Sequence, residues 1–359
     1  IYADRCSVRH CRIRDTIGHK VIVWNEPFVP TGNLKGPRKF FTIEGNHITG
    51  IGQRASIDIA STDYSTNISN NGIIRGNLIE DMVLIIHTGN DLLIEGNVIR
   101  CPSLNSGGIQ VHTGSNRVSV LNNVIGPCTV GVSSQNYCFD LIVRGNKISN
   151  TSGAGILIEN CTRAYVDDNM IHTTGAGAEG IGFSGVVGGS IRNNEVYLAG
   201  SSSIVVGTTS SDVMVSGNRS QSPTNYGVNA ATVAGLTVRG NALLGGQIGV
   251  AATSGTNTGI IIEGNDIKTT SANGIYTTAA DVLIRNNSVR SAGAHAIRIQ
   301  GAGSRVVGND VRDTTGIGIY LTTTVTGVAI TDNNVVNSSG AAIAGMQADT
   351  IVRRNTGYV

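Results

Sequence analysis

Several things are scarce in this chain, and each scarcity narrows what it can be. Lys and Arg exceed Asp and Glu by only two charges, so there is no strongly basic face of the kind nucleic-acid binders show. No apolar run approaches the length of a membrane-spanning helix, so no membrane partner is expected. No stretch carries helical spacing over three turns. No CxxC pair occurs, which argues against a thiolate metal site. Cysteine is missing altogether after Cys161. Aromatic residues make up 4% and charged residues 14% of the 359 positions, a composition suited to a core that grows in one dimension.

What is present is a repeat. Fourteen asparagines occupy one register of a single phrase: Asn46, Asn77, Asn97, Asn123, Asn146, Asn169, Asn194, Asn218, Asn241, Asn265, Asn287, Asn309, Asn333 and Asn355. From Asn97 onward the intervals are 22 to 26 residues. Each Asn follows an Ile or Val three places earlier, and the residue just before it is Gly eight times, Asn or Asp five times, and Arg354 once. Gly, Asn and Asp tolerate a left-handed backbone. Each unit therefore reads as a strand, a tight bend and another strand. About twelve residues after most asparagines comes a second apolar phrase with period-two alternation, such as Ile109-Gln110-Val111 or Ile319-Tyr320-Leu321.

A period of this length means stacked coils that bury their apolar faces against one another. An inward amide repeated at one bend can pass hydrogen bonds up the stack, which makes its burial tolerable. The expected fold is all-β: a single-domain right-handed parallel β-helix, a solenoid of about fifteen coils. Within it, residues 1–169 form irregular coils with long loops and residues 170–359 form regular coils. The chain begins and stops inside coil phrases, so flanking domains are expected at both ends.

The repeat resembles the pectate-lyase-like superfamily in its Asn-ladder form, from the first coil to the last. That resemblance implies a carbohydrate-active protein, because lyases, hydrolases and uronate epimerases share the scaffold. It also implies a secreted or extracellular location, including a virion or cell surface. No lyase or epimerase signature is found, so no catalytic residue is taken from a relative.

The early coils attract attention because Cys11 to Asn46 spans 35 residues and Asn46 to Asn77 spans 31. Long loops on a regular scaffold tend to carry function. Aligning the second phrase gives two outward columns. One reads Ile22, Asp58, Ile85, Gln110, Gly131, Leu157; the other reads Trp24, Ala60, His87, His112, Ser133, Glu159. His87 and His112 fall in matching phrases on consecutive coils and should be neighbours, with Asp58 diagonal to His87 and Gln110 beside His112. Two stacked histidines also make an ordinary surface ladder. As chemistry, the pair offers a base for β-elimination on a uronate-containing glycan, with Gln110 neutralising the carboxylate and Tyr64 or Tyr137 supplying the proton. Trp24 is expected as a sugar-stacking platform, and Ser133 and Gln135 as further substrate contacts. The candidate catalytic set is His87, His112, Asp58 and Glu159. The alternatives are a glycoside hydrolase using an Asp/Glu pair and a non-catalytic glycan-binding shaft, either a tailspike body or an adhesin. No metal and no cofactor is expected; calcium is allowed but not indicated. The expected partner is a polysaccharide, and a homo-oligomer is compatible, a trimer in the tailspike case. His295 has no repeated partner and reads as surface.

The six cysteines read either as small core residues or as one or two inter-coil disulfides. Cys138 and Cys161 share a register, Cys101 and Cys128 lie in neighbouring bends, and Cys11 takes the ladder position of the first coil.

Overall fold

The computed structural model describes residues 5–14, 21–25, 40–50, 56–61, 69–81, 83–87, 89–102 and 107–357. Among them every regular element is a strand, and the strand pairings are parallel. The protein is an all-β parallel solenoid. It divides into two compact units, Ile1–Gly175 and Ala176–Val359.

Each unit repeats the same coil. In unit 1 the short strands that follow the bends run from Arg12–Ile13 through Leu78–Glu80 to Met170–His172. In unit 2 they run from Glu195–Tyr197 to Asn334–Val336. This strip holds 14 strands over the two units, close to the fifteen coils the repeat predicts. The Ile or Val three places before each Asn is the inward residue of the preceding strand. Ile43, Ile74, Ile94, Val120 and Val143 are wholly buried in unit 1, as are Ile191, Val238, Ile284 and Ile330 in unit 2. Each such side chain contributes roughly 1.5–3 kcal/mol through burial.

The bends explain the residue before each Asn. All fourteen have positive φ, including Gly45 at 65°, Asn122 at 55°, Asp168 at 56° and Arg354 at 51°. The turn at this point needs the left-handed region, which Gly, Asn and Asp enter most readily.

The asparagines form the expected internal rows. In unit 1, Asn97 Nδ2 donates to Asn123 Oδ1 at 2.9 Å, and Asn123 Nδ2 donates to Asn146 Oδ1 at 3.0 Å. Each Oδ1 also takes a backbone N–H: the Asn97 amide donates to the same Asn123 oxygen at 2.9 Å. The second Nδ2 proton goes to a backbone carbonyl, as from Asn123 to Ile94 O at 3.0 Å. Unit 2 repeats the pattern from Asn194 to Asn355. Within these rows the ladder amides are thereby paired on both their donor and acceptor sides. Cys11 does take the ladder position: its amide donates to Asn46 Oδ1 at 2.9 Å.

Cys138 and Cys161 are direct neighbours in register, but all six cysteines are free thiols. Burial pushes the Cys128, Cys138 and Cys161 thiols up to about 12, so they stay protonated and act as small core residues.

Candidate functional site

The site of unit 1 follows from strand parity. Leu84 and Ile86 point inward on one coil, and Ile109 and Val111 do so on the next. The strands pair Ile86 with Val111, so the residues that follow, His87 and His112, meet on the outward side. The ladder continues through both: His87 N–H donates to Ile59 O at 2.8 Å, and His112 N–H donates to Ile86 O at 2.7 Å. The two rings stack, with centroids 5.3 Å apart and planes 25° apart.

Asp58 is opposite Ile85 and therefore diagonal to His87. It is only 2% exposed. His87 Nε2 lies 3.7 Å from Asp58 Oδ1, within ion-pair reach. On the next coil His112 Nε2 and Gln110 Oε1 are 3.3 Å apart. With that oxygen as acceptor, the ring proton sits on Nε2 and Nδ1 keeps its lone pair. Burial first, and then the charge of His87, hold the His112 pKa below the usual imidazole range. His112 is therefore neutral at neutral pH and able to accept a proton.

One coil departs from the expected register. Val132 and Ser134, not Val130 and Val132, are its inward residues, and the pairing sets Gln110 opposite Ser133 and Val111 opposite Ser134. Ser133 therefore continues the Asp58–Gln110 column. The neighbour of His112 is Gln135, whose amide donates to Val111 O at 3.0 Å. Glu159 follows Gln135 in the same column, because Ser134 pairs with Ile158. The cause is Gly131. It occupies the cramped position that Gly108 holds on the coil before, where an added Cβ would meet Gly155 O at 2.5 Å. The small residue sets the frame, and the apolar alternation Val130-Gly131-Val132 fits two frames equally well. Ser134 is tolerated inside because its hydroxyl accepts the Glu159 N–H at 3.2 Å.

Asp58, His87, Gln110 and His112 are thus brought together, with Gln135 next along the column. Asp58 and Glu159 are not: their strands are four strand spacings apart, about 19 Å. Tyr137 is 71% exposed on a turn, and its carbonyl accepts the Gly114 N–H at 3.2 Å, which sets it at the rim beside the His112 turn. Trp24 lies on the strand Val21–Asn25, in register with Ala60. Its side chain, like Tyr64, lies outside the described residues.

Sequence reasoning passed over an outward column in unit 2: Tyr276, Arg298 and Tyr320, with His295 beside it. The alternation that exposes His87 and His112 exposes these too, since Ile275, Ile297 and Ile319 are the buried residues next to them.

A family model described as "Periplasmic copper-binding protein (NosD)" matches residues 12–197 and 178–351. None of the curated proteins matches the chain. Among solved structures, the chain is similar to the A-module of the mannuronan C-5 epimerase AlgE6 of Azotobacter vinelandii, with a TM-score of 0.52 at 12% identity over 89% of this chain and 91% of that one. It is similar to a mutant of the periplasmic alginate epimerase AlgG, with a TM-score of 0.53 at 12% identity over 89% of this chain and 77% of that one. It is also similar to PfbA, a surface adhesin of Streptococcus pneumoniae, with a TM-score of 0.52 at 12% identity over 76% of this chain and 84% of that one. Similarity at this identity speaks for the fold.

Proposed function

The chain belongs to the NosD family, and we propose that within it unit 1 acts on a uronate-containing polysaccharide by removing the proton next to the sugar carboxylate. The stacked His87–His112 pair carries this reading, because burial and the second ring keep His112 an unprotonated base. The epimerases among the structural neighbours act on mannuronan and alginate, which are the source of the proposed substrate class. The naming of the family and of one epimerase as periplasmic, and of the adhesin as a surface protein, supports an extracytoplasmic setting.

The steps follow from the side chains. Gln110 donates from its carboxamide nitrogen to the sugar carboxylate and lowers the cost of charge building up on it. His112 Nδ1 takes the C5 proton. The freed electron pair forms the C4–C5 double bond while the C4–O glycosidic bond breaks. The departing oxygen receives a proton from a phenol, with Tyr137 at the rim as the described candidate. Asp58 orients His87. If the carbanion were instead reprotonated from the opposite face, the product would be the C5 epimer. A hydrolase built on Asp58 and Glu159 is disfavoured, because retention needs carboxyls about 5–5.5 Å apart and inversion about 6.5–9.5 Å.

The family description names copper, and the donor set does not match it. Among the described residues no group of three or more His, Cys, Asp and Glu is arranged to hold a metal ion. His87 and His112 stack face to face, whereas two imidazoles binding one ion turn their nitrogens toward it at about 2.0 Å. The buried thiols are held protonated, and a thiolate is what copper would bind. The described residues do not fit a copper centre.

The test is a panel of polyuronates and neutral polysaccharides, read by ultraviolet absorbance of unsaturated uronate and by new reducing ends. Both signals together support elimination. Reducing ends alone mean hydrolysis. Neither signal, with solvent deuterium entering C5, means epimerisation. Binding with no chemistry at all would make unit 1 a glycan-holding face and overturn the catalytic reading.

A further inference from the structure

Unit 2 carries a second side-chain cluster with different chemistry. Its strands Ile275–Thr277, Ile297–Ile299 and Ile319–Leu321 pair in register, so Tyr276, Arg298 and Tyr320 are direct neighbours on three successive coils. The column spans two strand spacings, about 10 Å. The Arg298 guanidinium carbon lies 4.9 Å from the centroid of the Tyr276 ring, at cation–π range. Tyr276 O–H donates to Gln300 Oε1 at 2.7 Å, which fixes the ring that carries the guanidinium. On the other side the His295 and Tyr320 rings are 4.7 Å apart, tilted by 35°. His295 Nδ1 accepts the Ile317 N–H at 3.2 Å, so the ring presents Nε2–H as a donor. Burial, followed by the charge of Arg298, lowers the His295 pKa and keeps the ring neutral.

Several strand-borne arginines are neutralised by acids on neighbouring coils. Arg75 pairs with Glu44 at 2.8 Å, Arg144 with Asp167 at 2.9 Å, and Arg285 with Glu263 at 2.7 Å. Arg298 has no carboxylate partner among the described residues, and its Nε is buried without an acceptor. A guanidinium pinned by a tyrosine face with its donor fork unfilled is shaped for a planar oxyanion bound through two parallel hydrogen bonds. The flanking tyrosines offer flat apolar faces and hydroxyls, as suits a sugar ring better than a bare ion.

We propose that the Tyr276–Arg298–Tyr320 column is a binding subsite for a carboxylated sugar unit, separate from the histidine site of unit 1. The choice of a uronate over other carboxylates rests on the reading of unit 1; the fork-to-carboxylate recognition rests on unit 2 alone.

The experiment is isothermal titration calorimetry of the full chain with hexamannuronate, hexagalacturonate and neutral cellohexaose. The variants are R298Q, R298K and the double change H87A/H112A, each checked for native circular dichroism. The wild type should bind at least one oligouronate, and cellohexaose at least tenfold more weakly. R298Q should weaken the unit 2 site at least tenfold, R298K should recover part of that loss, and H87A/H112A should leave the site intact. Equal affinity in R298Q and wild type overturns the proposal, as does equal binding of cellohexaose or no binding of either oligouronate. Should R298Q fail to fold, unchanged affinity in R298K overturns fork recognition. Loss of all binding in H87A/H112A with none in R298Q leaves unit 1 standing and sinks this subsite. Loss in R298Q alone, with no uronate chemistry by the wild type, does the reverse.

Discussion

Units 1 and 2 share one inward design and differ in what they show outside. Both bury Ile and Val before the bend, and both run an asparagine row with amide contacts of 2.9 to 3.0 Å. Outward, unit 1 presents Asp58, Gln110, His87 and His112 on consecutive coils. Unit 2 begins blandly with Gly182 and Val205, and then presents Tyr276, Arg298 and Tyr320. The regular coils of unit 2 thus carry small outward side chains in one part and an aromatic column in another. Packing constrains the inward positions of every coil alike, whereas an outward position is free to take any side chain that water or a ligand can satisfy. Function on a solenoid is written in the outward columns.

The comparison breaks most sharply at His112. In the proposed chemistry H112A should cut turnover by a factor of about 10²–10⁴, with the thermal midpoint nearly unchanged because the ring is only half-buried. Retained activity would leave the unit 1 pair as a surface ladder.

Next in size is the shared interior. N146L in unit 1 and N265L in unit 2 should each lower unfolding free energy by about 1–3 kcal/mol in urea titrations, since each strands the amides above and below it. A marked inequality between them would show that the two rows are not equivalent.

A smaller effect concerns pH. Because the folded His112 pKa lies below the ordinary value of about 6.5, the unfolded chain binds this proton at higher pH than the folded one does. The stability tied to His112 is thus complete above the ordinary value and lost as pH falls through it toward the lowered one. The acid limb of kcat/KM should sit on the same lowered value. In an NMR titration H87A should move His112 upward only part of the way, since burial is the larger cause.

Smallest are the surface pairs. Breaking Arg117–Asp91 in unit 1 or Arg285–Glu263 in unit 2 by R117A or R285A should change stability by less than about 1 kcal/mol, and salt should erase even that. A larger loss in one unit would mean that its ladder does more than decorate the surface.

Much of this is legible in the amino-acid sequence. The period, the residue before each Asn and the alternation around Leu84, Ile86, Ile109 and Val111 lead to a parallel β-helix, to the asparagine rows and to the meeting of His87 with His112. Repetition makes this readable, because the same local demand, a left-handed bend followed by an inward amide, recurs in every coil and averages out the exceptions. The tertiary structure decided what depends on one coil's contact with the next. It moved Ser133 out of the histidine column and put Gln135 there, because Gly131 alone fits against Gly155 O. It left the cysteines as thiols. It kept His112 neutral through burial among neighbouring coils, and it showed Arg298 seated on Tyr276 without a carboxylate beside it. Period and residue type are properties of the chain, but register, burial and partnership are properties of pairs of coils, and a pair exists only once the chain has stacked.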